Sequence, residues 1–139
     1  MKRYIRSDII DVHDEDVFYR LDMAKDPDTD YRALVRLSES VNPMVRFALT
    51  DNPMLPEDIL AKLAEDEDID VRGGVAQHLR ASVETLDMLA DDPVGYIRHR
   101  VAQNSKTSPE TLHKMLNDPK SDIYIKNLAQ ANLWKRGLD

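Results

Sequence analysis

The chain repeats itself every 26 residues, and a period of that length constrains its fold more than any composition does. Segments starting at Tyr19, Val45, Val71 and Ile97 superimpose almost without gaps. Each starts on an apolar residue followed by arginine: Arg20, Arg46, Arg72 and Arg98. Further along come Leu34, Leu60, Leu86 and Leu112, then Leu37, Leu63, Leu89 and Met115. One unit is shorter than the ~40 residues below which isolated chains rarely fold. Each must therefore bury its apolar face on its neighbours, which makes the stack the folding unit.

Within a unit the pattern divides into two short helices. The first carries V-R-x-x-V-A, as in Val71 to Ala76 and Ile97 to Ala102, with apolar residues spaced for one inward face. It stops at Asp26-Pro27 or Asn52-Pro53, since proline cannot continue a helix and pushes its predecessor out of helical geometry. The second opens with Ser108-Pro109-Glu110, Ser82-Val83-Glu84 or Leu55-Pro56-Glu57, each placing an acid near the positive helix end. An acidic turn at Asp66, Asp92 or Asp118 closes the unit. A partial unit is expected from about residue 123, with its pattern slipped by about one residue. Residues 1–18 fall outside the period and are expected to form an N-terminal extension, leaving 19–139 as the repeat domain.

The stretch VRFALTDNPMLPEDILAKLAED, residues 45–66, resembles the leucine-rich repeat variant family, whose unit runs V-R-x-x-V-A-x-N-P-x-x-P-x-x-x-L-x-x-L-A-x-D. The likeness covers about residues 19–122 and is strongest over 45–118. It implies an all-α, right-handed α-solenoid of alternating α- and short 3-10-type helices, here four to five repeats. The relatives are mostly bacterial, and some hold an iron–sulfur centre through cysteines. This chain has no cysteine, so no cofactor is carried over. HEAT-like repeats are the nearest competitor, with units that are usually longer.

The same lack of cysteine excludes disulfides, thiolate metal sites and cysteine nucleophiles. Two D-x-D-x-D openings, at Asp26 and Asp66, suggest a calcium loop. Both lack the glycine and the bidentate glutamate it needs, because Tyr31 and Leu37, or Val71 and Gln77, hold those places. The histidines His13, His78, His99 and His113 have no metal-ligand spacing, and no G-x-S-x-G elbow or phosphate loop occurs. An enzyme is not expected. The opening MKRYIRSDIID lacks the apolar core of a signal peptide, and no apolar run nears the ~18 residues of a membrane span. A soluble cytoplasmic protein is the expectation.

With 19 Lys+Arg against 26 Asp+Glu, the chain is acidic, and nucleic acid is not the expected partner. The arginine row Arg20, Arg46, Arg72, Arg98 still offers a polyanion site as the alternative function. The competing explanation pairs each arginine with an acidic turn, at Asp66, Asp70, Asp92 or Asp118. Residues two places after the unit starts, Phe47, Gly73 and His99, vary in size and are the expected partner-facing row. The glycine pair Gly73-Gly74 is read first as close packing between units. The expected function is a non-enzymatic helical-repeat scaffold that binds another protein.

Overall fold

A computed structural model of the chain describes residues 17–138, which form nine α-helices and no strand. They are α1 (Val17–Lys25), α2 (Tyr31–Ser38), α3 (Pro43–Leu49), α4 (Glu57–Leu63), α5 (Ile69–Ala76), α6 (Val83–Leu89), α7 (Gly95–Gln103), α8 (Pro109–Asn117) and α9 (Ile123–Lys135). The extension expected over 1–18 lies outside the described residues except for Val17 and Phe18, which open α1.

The odd-numbered helices pack in sequence, α1 on α3, α3 on α5, α5 on α7 and α7 on α9. The even-numbered helices form a second layer, joined to the first through contacts such as α2 with α3 and α8 with α9. Between the layers lie the residues the period singled out. Val45, Val71 and Ile97 are fully buried, as are Leu60, Leu86 and Leu112. Leu37, Leu63, Leu89 and Met115 lie at 4 % exposure or less. Helices of seven to nine residues are too short to persist alone, so this burial holds them, at ~1.5–3 kcal/mol gross per aliphatic side chain.

Local signals set the helix ends. The side chains of Asp30, Asn42, Asp68, Ser82, Ser108 and Asp122 each accept a hydrogen bond from a first-turn N–H. Pro43 and Pro109 occupy the first turn, where the missing donor costs nothing. Among the described residues the expected 3-10 helices do not occur. Both layers are α-helical, with opening bonds such as Leu60 N–H to Pro56 O at 3.0 Å. Bonds of the tighter 3-10 type appear only at helix ends and in turns, as where Ile59 donates to Pro56 or Thr50, Asp51 and Asn52 donate to Phe47, Ala48 and Leu49.

The last unit departs from the period by two residues rather than one. In α9 the buried apolar residues are Ile125, Ala129 and Leu133, while Ile123 is exposed. Asn132 bonds to the backbone of Asn104, 28 residues back, where Asn104 bonds to His78, 26 residues back. The cause is local: α8 runs nine residues where α6 runs seven, and the connection that follows is of the same length in both. Trp134 does not cover the end of the core, since its side chain is largely exposed while Leu133 beside it is buried.

Candidate functional site

Two polar ladders run through the stack, and they decide which repeated residues face solvent. In the first, Arg46 donates from Nε to Asp66 at 2.8 Å and from Nη2 to the same carboxylate at 3.1 Å. Its Nη1 donates to the Ser40 carbonyl at 2.6 Å. Arg72 repeats the arrangement on Asp92, at 2.8 and 3.3 Å, with Nη1 on the Asp66 carbonyl at 2.9 Å. The side chains of Asp66 and Asp92 are nearly buried, and the bonds to them raise the pKa of both guanidinium groups. Each arginine thus ties the turn before its own helix to the turn one helix pair further on. Asp70, one of the partners expected from sequence, is exposed on the first turn of α5.

Arg98 keeps only half of this pattern. Its Nη1 donates to the Asp92 carbonyl at 2.7 Å. Among the described residues no carboxylate closes the Nε/Nη2 side; Asp118 keeps the N–H bond that Asp66 and Asp92 also accept, here from Lys120 at 2.8 Å, but does not reach the guanidinium. The lengthened α8 ends at Asp118 in extended geometry, whereas α4 and α6 end in helical caps at Ala64 and Ala90 before the turn that presents their aspartates. Arg20 is half-buried in α1.

The second ladder was barely visible in the sequence. The Asn52 amide donates to the Asp26 carbonyl at 3.0 Å, and its Oδ1 accepts from the Met54 N–H. His78 occupies the next place, with Nδ1 accepting from the Arg80 N–H at 3.0 Å and Nε2 2.8 Å from the Asn52 carbonyl. The acceptor role at Nδ1 assigns the proton to Nε2, so the ring reproduces what an asparagine amide does. Asn104 donates to the Ala76 and His78 carbonyls, and Asn132 to those of Ala102 and Asn104. All four side chains are buried and satisfied. From the sequence His78 was legible only as a histidine without metal-ligand spacing. What could have revealed the rest is the recurrence of Asn or His one helical turn after each V-A step.

With the ladders internal, the open surface of the odd layer is left to other residues. Just before each unit start stand Phe18, Met44, Asp70 and Tyr96, with Tyr124 in the same place after the two-residue insertion. The four apolar side chains among the first four units and α9, with Phe47 beside them, are 38–76 % exposed. The units interlock along this face. The Tyr96 hydroxyl lies 2.6 Å from where a Gly73 Cβ would stand, Tyr124 sits 6.3 Å from the His99 ring, and Arg100 stacks over Tyr96 at 4.8 Å. His99 Nε2 also lies 3.1 Å from the Asp122 carboxylate.

The expected row Phe47, Gly73, His99 is therefore broken in its middle. Phe47 is exposed and His99 half-buried, but Gly73 is buried beneath Tyr96. Gly74 closes the approach of α5 to α3, since a Cβ there would fall 2.2 Å from Thr50 Oγ1 and 2.6 Å from Thr50 Cβ. Both glycines serve packing. The row one turn earlier is less marked by size variation between units, and an apolar residue of a short helix reads as core.

The outer face of the even layer has a different character. Arg32, Arg36, Asp58, Lys62, Glu84, Asp87, Glu110 and Lys114 are exposed there, with Val83 and Met88 scattered among them. Cross-unit bonds join several, including Lys62 to Glu39, Lys114 to Asp91 and the Tyr31 hydroxyl to Asp58, which raises the tyrosine pKa. Among the described residues no group of histidine and acidic side chains is arranged to hold a metal ion, and no helix is long and apolar enough to cross a membrane. No family model matches the chain, and no curated protein or solved structure matches it.

Proposed function

We propose that the chain is a non-enzymatic scaffold that binds another protein through the exposed face of its odd-numbered helices. The observation that carries this is the row Phe18, Met44, Tyr96 and Tyr124, with Phe47 alongside, on one layer, interrupted only by Asp70 in the third unit. The other layer's outer face is charged. Protein interfaces favour tyrosine, phenylalanine, methionine and arginine at their centres and disfavour lysine and carboxylates. Repeat stacks offer such extended faces in place of a deep pocket.

In this reading the layers wind as a right-handed α-solenoid of four to five units, of the leucine-rich repeat variant kind, working in the cytoplasm. A protein is a better-supported partner than a polyanion because Arg46 and Arg72 already hold carboxylates. The test is capture from native lysate by immobilised protein. A partner retained by the wild type and by an Arg32→Glu control, and lost with Phe47→Asp plus Tyr124→Asp, is the expected result. Retention indifferent to those two substitutions refutes the proposal, as does recovery of nucleic acid that raised salt removes. Matching circular dichroism melts confirm that the variants fold.

A further inference from the structure

We propose that the open fork of Arg98 is a carboxylate-binding site, which takes from outside the chain the group that Asp66 and Asp92 supply to Arg46 and Arg72. The chain contains its own precedent. In two units a guanidinium held through Nη1 by the backbone carbonyl six residues back presents Nε and Nη2 to a carboxylate at 2.8–3.3 Å. Arg98 is held by the same carbonyl bond, at 2.7 Å, so its fork is oriented like the others before any ligand arrives. Beyond the lengthened α8, Asp118 does not reach the fork, and a groove of about 360 Å³ lies between Arg98 and Asp118.

The walls define the ligand. Ala90 and Pro93 are apolar, and Lys120 adds a second cation at the mouth. Gly95 lies against the guanidinium with no side chain to cover it, where Pro43 and Ile69 stand in earlier units. The nearby acids are engaged: Asp92 by Arg72 and the Val94 N–H, Asp91 by Lys114, and Asp118 by the Lys120 N–H. Their charges disfavour a dianion such as phosphate, whereas a planar monoanion matches the fork bidentately. The ligand is a carboxylate, from a small molecule or from an Asp or Glu side chain of a partner. The site rests on the arginine ladder alone and stands whether or not the apolar face binds protein.

Arginine side-chain Nε–H resonances of the full chain provide the test, with Arg98→Lys identifying the Arg98 signal. Acetate is titrated at constant ionic strength against chloride, with phosphate and a blocked single-aspartate peptide as parallel arms. The expected result is a saturable shift of Arg98 with acetate and with the peptide, while Arg46 and Arg72 stay in place. Tighter half-saturation by the peptide assigns the source to a partner side chain, and equal values assign it to a free carboxylate. Asp92→Asn opens the Arg72 fork and should make that signal respond too. Deleting Lys120 and Ser121 restores the 26-residue spacing and should abolish the Arg98 response. A flat Arg98 signal in the wild type, a response to chloride or phosphate equal to that to acetate, or parallel movement of all three arginines overturns the proposal.

Discussion

Asn104→Ala is the sharpest probe of what holds the stack in register. The amide donates to the carbonyls of Ala76 and His78 at 2.9 and 3.0 Å and accepts from the Lys106 N–H at 2.9 Å. The side chain is buried, so water cannot take over all three bonds. At a net ~1 kcal/mol per bond, with ~1–3 kcal/mol for a buried group left unmade, the loss is about 3–5 kcal/mol. That is a fifth or more of the ~5–15 kcal/mol typical of a whole domain. Urea denaturation followed by circular dichroism measures it, with exposed Gln103→Ala as control. The bonds join neighbouring units, so the transition should also broaden as the C-terminal part uncouples. Asn104→His should recover most of the loss, because His78 fills the preceding rung with the same donor and acceptor. A loss within ~0.5 kcal/mol of the Gln103 control would refute the ladder as a source of stability.

Gly74→Ala should destabilise, although alanine gains ~1 kcal/mol over glycine within a helix, because its Cβ would meet Thr50 Cβ at 2.6 Å. Thermal melts should give the opposite ranking to an exposed helix; a stabilised Gly74→Ala would refute the close α3–α5 approach. Arg72→Ala leaves the nearly buried Asp92 carboxylate without its guanidinium and should cost about 3 kcal/mol, measured by urea denaturation; a loss near that of exposed Lys62→Ala would contradict it. The Asp122 carboxylate is held below its ordinary pKa of 3.8, first by the Ile125 N–H and then by His99. The folded state therefore binds that proton less tightly than the unfolded chain. Its contribution is full above the ordinary value and lost as pH falls through the folded one. Asp122→Asn, which still caps the helix, should lower stability near neutrality, where the charge contributes in full, and flatten the stability profile in acid. An unchanged acid slope would refute the assignment.

Legibility in the sequence followed the kind of energy each residue contributes. Val45, Leu60 and Leu86 could be placed in the core without coordinates, because apolar burial imposes a helical period that any neighbour satisfies. The ion pairs of Arg46 and Arg72 were legible as a choice between aspartates, and geometry made the choice. The asparagine ladder was harder, because its acceptors are main-chain carbonyls that no side-chain pattern records. Hardest was the offset in the final unit. A two-residue insertion alters no residue type, yet it changes which groups come within bonding distance. It keeps the amide ladder, because α9 slides until Asn132 reaches Asn104, and it opens the arginine ladder, because Asp118 stays with the turn that moved. The buried amide cannot be left unpaired, whereas a half-exposed guanidinium remains solvated, so the insertion is absorbed at the ladder where breaking costs less. A repeat protein can thus acquire a binding group without a new residue, by shifting one unit against the interaction that tolerates the loss.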